Sequence, residues 1–220
     1  MFGLYEAARV IFSTMLSAVL KILIFSLVVS VQAHAERRIV FLGDSLTEGY
    51  QLTKEDAYPY LIEQILHKEG LSDIKCINAG ISGSTSASGP SRLKWYLKEK
   101  PEILVLALGA NDGLRGLDLK ETKKHLKEVI TEAKKENIKI LLAGMKMPPN
   151  YGVKFTKEFE KLFEDLAREE KVSFIPFLLE SVAGKRELNL SDGIHPNPEG
   201  HKGLAQTVLK YLRPMLKTSK

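Results

Sequence analysis

The sequence predicts an α/β protein, a three-layer α/β/α sandwich in which helices cover both faces of a parallel sheet. From residue 37 onward, short apolar runs alternate with longer segments whose apolar residues recur at helical spacing. The short runs are continuously apolar and rich in β-branched residues, which indicates strands buried on both faces, and such strands pair in parallel. No internal repeat or linker divides this part of the chain. We therefore expect a single domain there.

Five strands and five helices are predicted. The strands are Ile39–Leu42, Ile74–Asn78, Ile103–Leu108, Ile138–Gly144 and Val172–Ile175. The helices are Pro59–Lys68, Pro90–Lys98, Lys120–Lys135, Phe155–Glu169 and Glu199–Leu216. Open parallel sheets bind their ligands at the carboxyl ends of the strands, so the loops after the strands are where functional residues are expected.

The first 35 residues differ in kind from the rest. Ile22–Val31 is almost uninterrupted apolar sequence after Lys21, and Ala33-His34-Ala35 has the small-x-small pattern of a signal-peptidase site. We predict that residues 1–35 are a signal peptide cleaved after Ala35, so that residues 36–220 form an exported domain, periplasmic or secreted. The alternative is an uncleaved anchor over Val10–Val31, against which the central Lys21 argues, because lysine is costly in hydrocarbon. No stable membrane insertion is expected after cleavage.

Composition restricts the partners. Charged residues make up 27% and hydrophobic residues 44% of the chain, an ordinary globular balance, and the net charge is +5. Lysines are interleaved with glutamates, as in residues 157–161, which is typical of solvated helix faces rather than of a basic stripe for nucleic acid. The single cysteine, Cys76, excludes an intramolecular disulfide and a thiolate zinc cluster, and its apolar surroundings predict a small buried side chain. We expect a monomer that binds a small molecule.

Three residues from the two ends of the domain have the chemistry of acyl transfer. Ser45 follows the first predicted strand, where by itself it could simply cap a helix. Asp192 and His195 stand three residues apart near the carboxyl terminus. A serine hydroxyl needs an adjacent base, and a histidine base needs an acceptor that fixes its tautomer. The pattern therefore favours Ser45 as nucleophile, His195 as base and Asp192 as the residue that orients the histidine.

A tetrahedral intermediate also needs hydrogen-bond donors for its oxyanion. The candidates are the backbone N–H groups of Ser45 and Gly83 and the side-chain amide of Asn111. Asn111-Asp112-Gly113 is also a good tight-turn sequence. The Ser/Gly run of residues 80–89 could be a flexible loop or a phosphate cradle, but it lacks the Gly-Lys-Ser/Thr ending of a P-loop.

Other titratable residues are weaker candidates. His201 is the rival base, although its surroundings predict an exposed helix start, and His67 and His125 lie in lysine-rich helical stretches where we expect them to be solvated. No His-Glu-x-x-His motif occurs, and Asp44 with Asp112 would make a metal pair only if the fold joined them. We expect no metal and no cofactor.

Four segments resemble, in order and over essentially the whole domain, the motif blocks of the SGNH (GDSL) hydrolase family. They are Gly43-Asp44-Ser45-Leu46, Asn78-Ala79-Gly80-Ile81-Ser82-Gly83, Gly109-Ala110-Asn111-Asp112 and Asp192-Gly193-Ile194-His195. The extensions Leu114-Arg115-Gly116, Pro149-Asn150-Tyr151-Gly152 and Pro196-Asn197 are similar to the bacterial periplasmic multifunctional thioesterase I/lysophospholipase L1/arylesterase group of that family.

The resemblance implies a flavodoxin-like fold with a five-stranded parallel sheet. It also implies Ser45, His195 and Asp192 as the catalytic residues, and Ser45, Gly83 and Asn111 as the oxyanion hole. Gly80 departs from the group, in which a serine stands at this position, so Gly83 is favoured over Gly80 as the donor, although sequence alone does not separate the two. Ester and thioester cleavage is a safer expectation than amide cleavage.

Apolar residues after the fourth strand and beside Asn111 are candidates for binding the acyl chain. They are Leu114, Met147, Pro148 and Tyr151, with Met145, Pro149 and Leu117 as further possibilities. The alternative is ordinary loop packing.

The predicted function is that of an exported serine esterase acting on aryl and short-chain esters, lysophospholipids and acyl-CoA thioesters. One alternative keeps the triad but takes O-acetylated carbohydrates. Another is a non-catalytic periplasmic binding protein that only retains the fold.

Overall fold

The computed structural model describes residues 36–217, together with the isolated positions Gly3 and Met15. The chain divides into two units, residues 1–35 and residues 36–220. The predicted signal peptide or anchor, residues 1–35, lies outside the described residues apart from those two positions. Over the part of the chain that is described, none of the helices combines the length and the apolarity that crossing a bilayer requires.

Five strands form one sheet in the order β2-β1-β3-β4-β5, and every neighbouring pair is parallel. The strands are β1 Arg37–Gly43, β2 Ile74–Gly80, β3 Ile103–Ala107, β4 Lys139–Ala143 and β5 Ser173–Ile175. The predicted strands are thus confirmed, with bounds that differ by one or two residues.

Helices cover both faces of this sheet. They are α1 Ser45–Glu48, α2 Tyr58–Lys68, α3 Gly89–Tyr96, α4 Ala110–Leu114, α5 Leu119–Lys135, α6 Val153–Glu170 and α7 Pro198–Leu216. Helices α2 and α7 pack against each other, whereas α5 packs between α3 and α6. The predicted three-layer α/β/α sandwich is therefore confirmed.

The local sequence explains why these helices form where they do. In α5, Leu126, Val129, Ile130 and Ala133 are fully buried, and their spacing places them on one stripe of the helix. The Asp118 side chain accepts a hydrogen bond from the Lys120 backbone N–H at 2.8 Å and caps the first turn. Burying each large apolar side chain of the stripe contributes on the order of 2 kcal/mol to the stability of the fold.

The prediction that every strand is buried on both faces is wrong for the two edge strands, β2 and β5. Strands β1 and β3 lie in the middle of the sheet and are buried over most or all of their length, whereas β2 is an edge strand whose residues are mostly half-buried. Cys76 in β2 is half-buried rather than enclosed, although the burial it has raises the pKa of its thiol. Strand order depends on pairing between distant segments, and the local apolar run does not report it.

The position of β1 fixes where the functional site lies. From β1 the chain passes to β2 on one side and then to β3 on the other. In an open parallel sheet this reversal leaves a crevice beyond the carboxyl ends of the two strands. The residues that follow β1 and β3, among them Ser45 and Asn111, are placed at that crevice.

Candidate active site

Ser45 is the first residue of α1, directly after β1. Asp44 precedes it as the helix cap, and its Oδ1 accepts a hydrogen bond from the Leu46 backbone N–H at 3.0 Å. The cap is therefore Asp44, while Ser45 begins the helix. Because the first N–H groups of a helix have no partner within it, the Ser45 N–H points out of the helix amino terminus.

Asp192 and His195 lie on one closed loop before α7. The Leu190 N–H donates to the His195 carbonyl at 2.7 Å, and the Asn197 N–H donates to the Leu188 carbonyl at 3.0 Å. The Asn197 side chain then caps α7 by accepting from the Gly200 N–H at 3.0 Å. These bonds join the loop to the start of a long core helix and limit its freedom.

The structure brings Ser45, His195 and Asp192 into one hydrogen-bonded chain. His195 Nε2 lies 2.9 Å from Ser45 Oγ, and His195 Nδ1 lies 2.7 Å from Asp192 Oδ2. An ionised carboxylate can only accept, so the hydrogen on the imidazole belongs to Nδ1. In the neutral ring Nε2 is then an acceptor, directed at the serine hydroxyl.

Asp192 is held in its ionised form. Partial desolvation works against ionisation, but the backbone N–H groups of His195 and Ile194 donate to Oδ1 at 3.0 and 2.9 Å, and the imidazole donates to Oδ2. These bonds outweigh the desolvation and lower the pKa of Asp192 to about 2. The same contacts fix the rotamer of the carboxylate that orients His195.

Gly83 and Asn111 approach the same end of the sheet from two other loops. The Ile81 N–H donates to the Gly43 carbonyl at 3.3 Å, which ties the Gly83 loop to the end of β1. Asn111 Nδ2 donates to the Ser84 carbonyl at 3.0 Å and lies 3.5 Å from Asp44 Oδ2. Asn111 belongs to the short helix α4, so the segment is not the tight turn that its sequence also allowed.

The geometry distinguishes Gly80 from Gly83. The Gly80 N–H donates to Asn78 Oδ1 at 2.9 Å, and a Cβ at this position would collide with the backbone of Glu48. Gly80 is therefore explained by the close packing of α1 against β2. Gly83 lies in an exposed loop with φ +75°, a conformation that favours glycine.

Asp44 is buried next to Ser45, and the half-buried Arg92 lies near enough to affect its charge. Asp44 is 1% exposed, and this burial raises the pKa of its carboxyl to about 6, although the Leu46 N–H and the nearby His195 and Arg92 oppose the rise. Arg92 Nη2 donates to the Gly43 carbonyl at 2.9 Å and also to the Ala79 carbonyl. The Arg92 guanidinium thus joins the carboxyl ends of β1 and β2.

Tyr50 is a residue of the site that the sequence patterns did not predict. Its ring lies against the His195 imidazole, with ring centroids 4.4 Å apart and ring planes inclined by 36°. Tyr50 comes from the turn after α1, and no apolar periodicity marks it. Its closeness to the serine in sequence was the available signal.

The predictions for the three other histidines of this domain are wrong. His201 is 1% exposed rather than at an exposed helix start, and its Nδ1 accepts from the Tyr58 backbone N–H at 3.1 Å. Burial lowers the pKa of His201 to about 4, so it serves as a neutral structural acceptor for α2. His67 and His125 are half-buried rather than solvated, His67 bonding the Ile74 carbonyl at 2.7 Å.

The candidates for acyl-chain binding differ in exposure. Tyr151 donates its hydroxyl to the Leu114 carbonyl at 3.2 Å, and both side chains are half-buried. Pro148 is exposed, whereas Met145 and Met147 belong to the hydrophobic core. Leu114, Pro148 and Tyr151 thus present more accessible surface than the methionines do.

Asp44 and Asp112 are both buried, at 1% and 2% exposure. Their oxygens accept from protein donors, those of Asp112 from Ser86 and Thr122. Within residues 36–217 no group of three or more His, Cys, Asp or Glu side chains is arranged to hold a metal ion.

Comparison with known proteins identifies the family. A model of the GDSL-like lipase/acylhydrolase family matches residues 41–202. The chain belongs to this family. By that membership it is a carboxylic ester hydrolase, as the sequence resemblance implied.

Three curated relatives of this GDSL hydrolase span nearly their whole length in the alignment. Esterase TesA of Pseudomonas aeruginosa is 36% identical over 192 residues, 87% of this chain and 95% of that protein. An arylesterase of Vibrio mimicus is 35% identical over 83% of this chain and 92% of its own length. Thioesterase 1/protease 1/lysophospholipase L1 of Escherichia coli is 34% identical over 88% and 91% of the two chains.

Solved structures have the same fold. A crystal structure of TesA superposes with a TM-score of 0.78 at 35% identity, covering 81% of this chain and 99% of that one. The SGNH-hydrolase family esterase AlinE4 has a TM-score of 0.69 at 37% identity, covering 84% and 99%.

Proposed function

We propose that this protein hydrolyses acyl esters and thioesters through an acyl-enzyme formed on Ser45. The observation that carries the proposal is the continuous chain from Ser45 Oγ to His195 Nε2, 2.9 Å, and from His195 Nδ1 to Asp192 Oδ2, 2.7 Å. A serine whose hydroxyl meets a neutral, oriented imidazole is an activated nucleophile.

In acylation, Ser45 Oγ attacks the carbonyl carbon of the ester while its proton passes to His195 Nε2. The imidazolium is stabilised by Asp192, which stays ionised because its pKa is near 2. His195 then gives the proton to the leaving alcohol or thiol, and the acyl group remains on Ser45. In deacylation, His195 takes a proton from water, the hydroxide attacks the acyl carbonyl, and the proton returns to Ser45 as the acid leaves.

The oxyanion of each tetrahedral intermediate would be bound by three donors, the backbone N–H groups of Ser45 and Gly83 and the Asn111 side chain. The Ser45 N–H is supported as an oxyanion donor by its place at the start of α1, where backbone N–H groups have no partner within the helix. Gly83 is supported over Gly80 because the Gly80 N–H is already bonded to Asn78. Asn111 Nδ2 has a second hydrogen near Asp44, at a distance of 3.5 Å that makes a weak bond and leaves it available to an oxyanion.

Alcohols and thiols leave more readily than amines, which supports esters and thioesters as the substrate class. The names of the relatives support the same class, since they include an arylesterase and a thioesterase 1/lysophospholipase L1. Leu114, Pro148 and Tyr151, with Met147 below them, would contact the acyl chain. A small-molecule substrate needs no partner chain, and we propose that the protein acts as a monomer.

Export is proposed on the sequence of residues 1–35. Expression of the full chain in a bacterial host, followed by amino-terminal sequencing of the periplasmic fraction, tests it. The expected amino terminus is Glu36, the residue after Ala35. Recovery of the intact chain only with the membrane would instead support the uncleaved anchor.

Ser45→Ala tests the mechanism directly. We expect this variant to lose hydrolysis of p-nitrophenyl butyrate and labelling by a fluorophosphonate probe while its thermal unfolding stays close to that of the unchanged protein. His195→Gln should likewise lose both ester hydrolysis and labelling by the probe. A Ser45→Ala protein that still turns over substrate would refute the proposal, and so would an unchanged protein that the probe does not label.

The substrate class is tested by comparing rates. We expect kcat/KM on p-nitrophenyl esters of increasing chain length and on acyl thioesters to exceed the rate on acetylated xylan. The reverse order would assign the site to O-acetylated carbohydrates.

A further inference from the structure

Three buried polar side chains lie together outside the catalytic chain. Ser86 is 0%, Asp112 2% and Thr122 1% exposed. Burying polar groups is costly unless they are hydrogen-bonded. Asp112 Oδ2 accepts from the Ser86 N–H at 2.8 Å, and its Oδ1 accepts from the hydroxyls of Ser86 at 2.5 Å and Thr122 at 3.1 Å.

Asp112 is the acceptor in all three of these hydrogen bonds. A carboxylate offers two acceptor oxygens and no donor, so it suits three donors arriving from two elements. The Ser86 hydroxyl uses its hydrogen for Asp112, and its oxygen therefore accepts the hydrogen of His125 Nδ1, 3.3 Å away. Each of these polar atoms thus has a hydrogen-bond partner, and the Thr122 hydroxyl also lies 3.2 Å from the Asp118 carbonyl.

The network connects the two segments that carry the proposed oxyanion donors Gly83 and Asn111. Asp112 follows Asn111 directly, and Ser86 comes three residues after Gly83. Two further bonds run between the same segments: Asn111 Nδ2 donates to the Ser84 carbonyl at 3.0 Å, and Arg115 Nη2 donates to the Gly83 carbonyl at 2.9 Å. Gly83, Ser84 and Ser86 are therefore each bonded to a residue of the segment 111–115.

We propose that Asp112 is a positioning residue for catalysis, which locks the Gly83 loop to helix α4 and so fixes the separation between the Gly83 N–H and the Asn111 amide. The inference rests on the proposed function and deepens it. Arg115 is exposed and Asn111 itself has to reach the oxyanion, so the buried Asp112 contacts provide the rigid part of the connection.

Such a lock matters because oxyanion donors act only from the correct position. They stabilise the transition state when they lie about 2.7–3.1 Å from the developing charge, and a displacement near 1 Å can cost about a hundredfold in rate. Substrate binding through the acyl chain does not depend on that distance. Loosening the lock should therefore lower kcat and leave KM nearly unchanged.

Asp112→Asn tests this directly, because it keeps the size of the side chain and replaces one acceptor by a donor that faces donors. We expect kcat on p-nitrophenyl butyrate to fall by about 10- to 100-fold with KM changed by less than about threefold. Affinity for a trifluoromethyl ketone, which forms a tetrahedral adduct with an oxyanion on the serine, should fall in the same proportion as kcat/KM.

Ser86→Ala is the milder variant and serves if Asp112→Asn fails to fold. It keeps the Ser86 N–H bond to Asp112 and removes only the hydroxyl, so we expect a several-fold loss of kcat with unchanged KM.

Thr207→Val is the matched control. It also removes a largely buried hydroxyl, bonded to Ser181 Oγ at 3.3 Å, and should lower the unfolding temperature while leaving kcat unchanged.

The outcomes separate this inference from the proposed function. If Ser45→Ala is inactive but Asp112→Asn and Ser86→Ala, assayed well below their unfolding temperatures, keep the full kcat and inhibitor affinity, the positioning role is refuted. A loss of kcat matched by Thr207→Val would refute it too, since that loss would reflect general instability. An active Ser45→Ala variant would instead overturn the proposed function.

Discussion

At the scale of single residues, the hydrogens that are already in use determine what remains for the substrate. Asn111 has two amide hydrogens, and one of them is held by the Ser84 carbonyl at 3.0 Å. That bond orients the amide. The second hydrogen makes only a weak bond to Asp44 and is therefore the one available to an oxyanion. Gly80 has a single backbone hydrogen, and Asn78 holds it.

Removing the Asn111 amide should therefore have a large effect on rate. We expect Asn111→Ala to lower kcat by roughly 100- to 1000-fold, the loss typical of an oxyanion donor, with a much smaller change in KM. Steady-state kinetics on p-nitrophenyl butyrate measures both. An unchanged kcat would leave Asn111 a structural residue of α4.

Tyr50 should contribute through its ring rather than its hydroxyl. In the proposed mechanism His195 becomes an imidazolium, which would lie against the Tyr50 ring, a contact worth about 0.5–2 kcal/mol. We expect Tyr50→Leu to lower kcat by about 2- to 30-fold, whereas Tyr50→Phe should stay close to the unchanged protein. Equal losses in the two variants would assign the effect to the hydroxyl.

At the scale of elements, each part of the site is attached to a strand end or helix start that the core holds in place. The loop with Asp192 and His195 is bonded across its base and continues into α7, whose cap is Asn197. Asn197 Nδ2 also donates to the Glu187 carbonyl at 2.9 Å. One side chain therefore connects the stability of a core helix with the placement of His195, the proposed base.

Asn197→Ala should accordingly affect both properties. Loss of the cap costs about 1 kcal/mol, which for a chain of this size lowers the unfolding temperature by about 2–4 °C. We also expect a several-fold loss of kcat, because His195 is two residues away. Scanning calorimetry and ester hydrolysis measure the two effects. The comparison is with Thr207→Val in the same helix, and a drop in stability alone for Asn197→Ala would contradict the coupling.

At the scale of the whole molecule, the buried carboxyl of Asp44 makes stability depend on pH. Its pKa is about 6 in the folded protein and near 3.8 in the unfolded chain. Between these values the unfolded state has lost a proton that the folded state keeps. The free energy of unfolding therefore falls as the pH rises through this window. Above the window the total loss is about 3 kcal/mol.

Asp44→Asn removes this contribution and keeps a good capping residue. We expect the free energy of unfolding of the variant to increase relative to that of the unchanged protein as the pH rises from about 4 to about 7, because only the unchanged protein loses stability over this range. Urea unfolding at the two pH values measures it. If the difference in unfolding free energy between the two proteins is the same at both pH values, Asp44 does not cause the predicted pH dependence.

The sequence predicts the strands, the long helices and the loops of the site well, because apolar periodicity is local and parallel strands align their carboxyl ends. It does not predict that β2 is an edge strand, since strand order depends on distant pairing. It also fails for His201 and Tyr50, whose surroundings are set by α2 and by the loop of His195. The Ser86–Asp112 bonds join segments 26 residues apart, and no local pattern contains them.

The spacing between Ser45 and His195, the proposed nucleophile and base, has a consequence for the growing chain. Ser45 and His195 are separated by 150 positions, and β1 is in the middle of the sheet although it comes first in the described domain. A fragment cut short before residue 195 would have the hydroxyl but not the imidazole that activates it. Under the proposed mechanism, hydrolysis can therefore begin only after synthesis has passed residue 195 and the chain has folded.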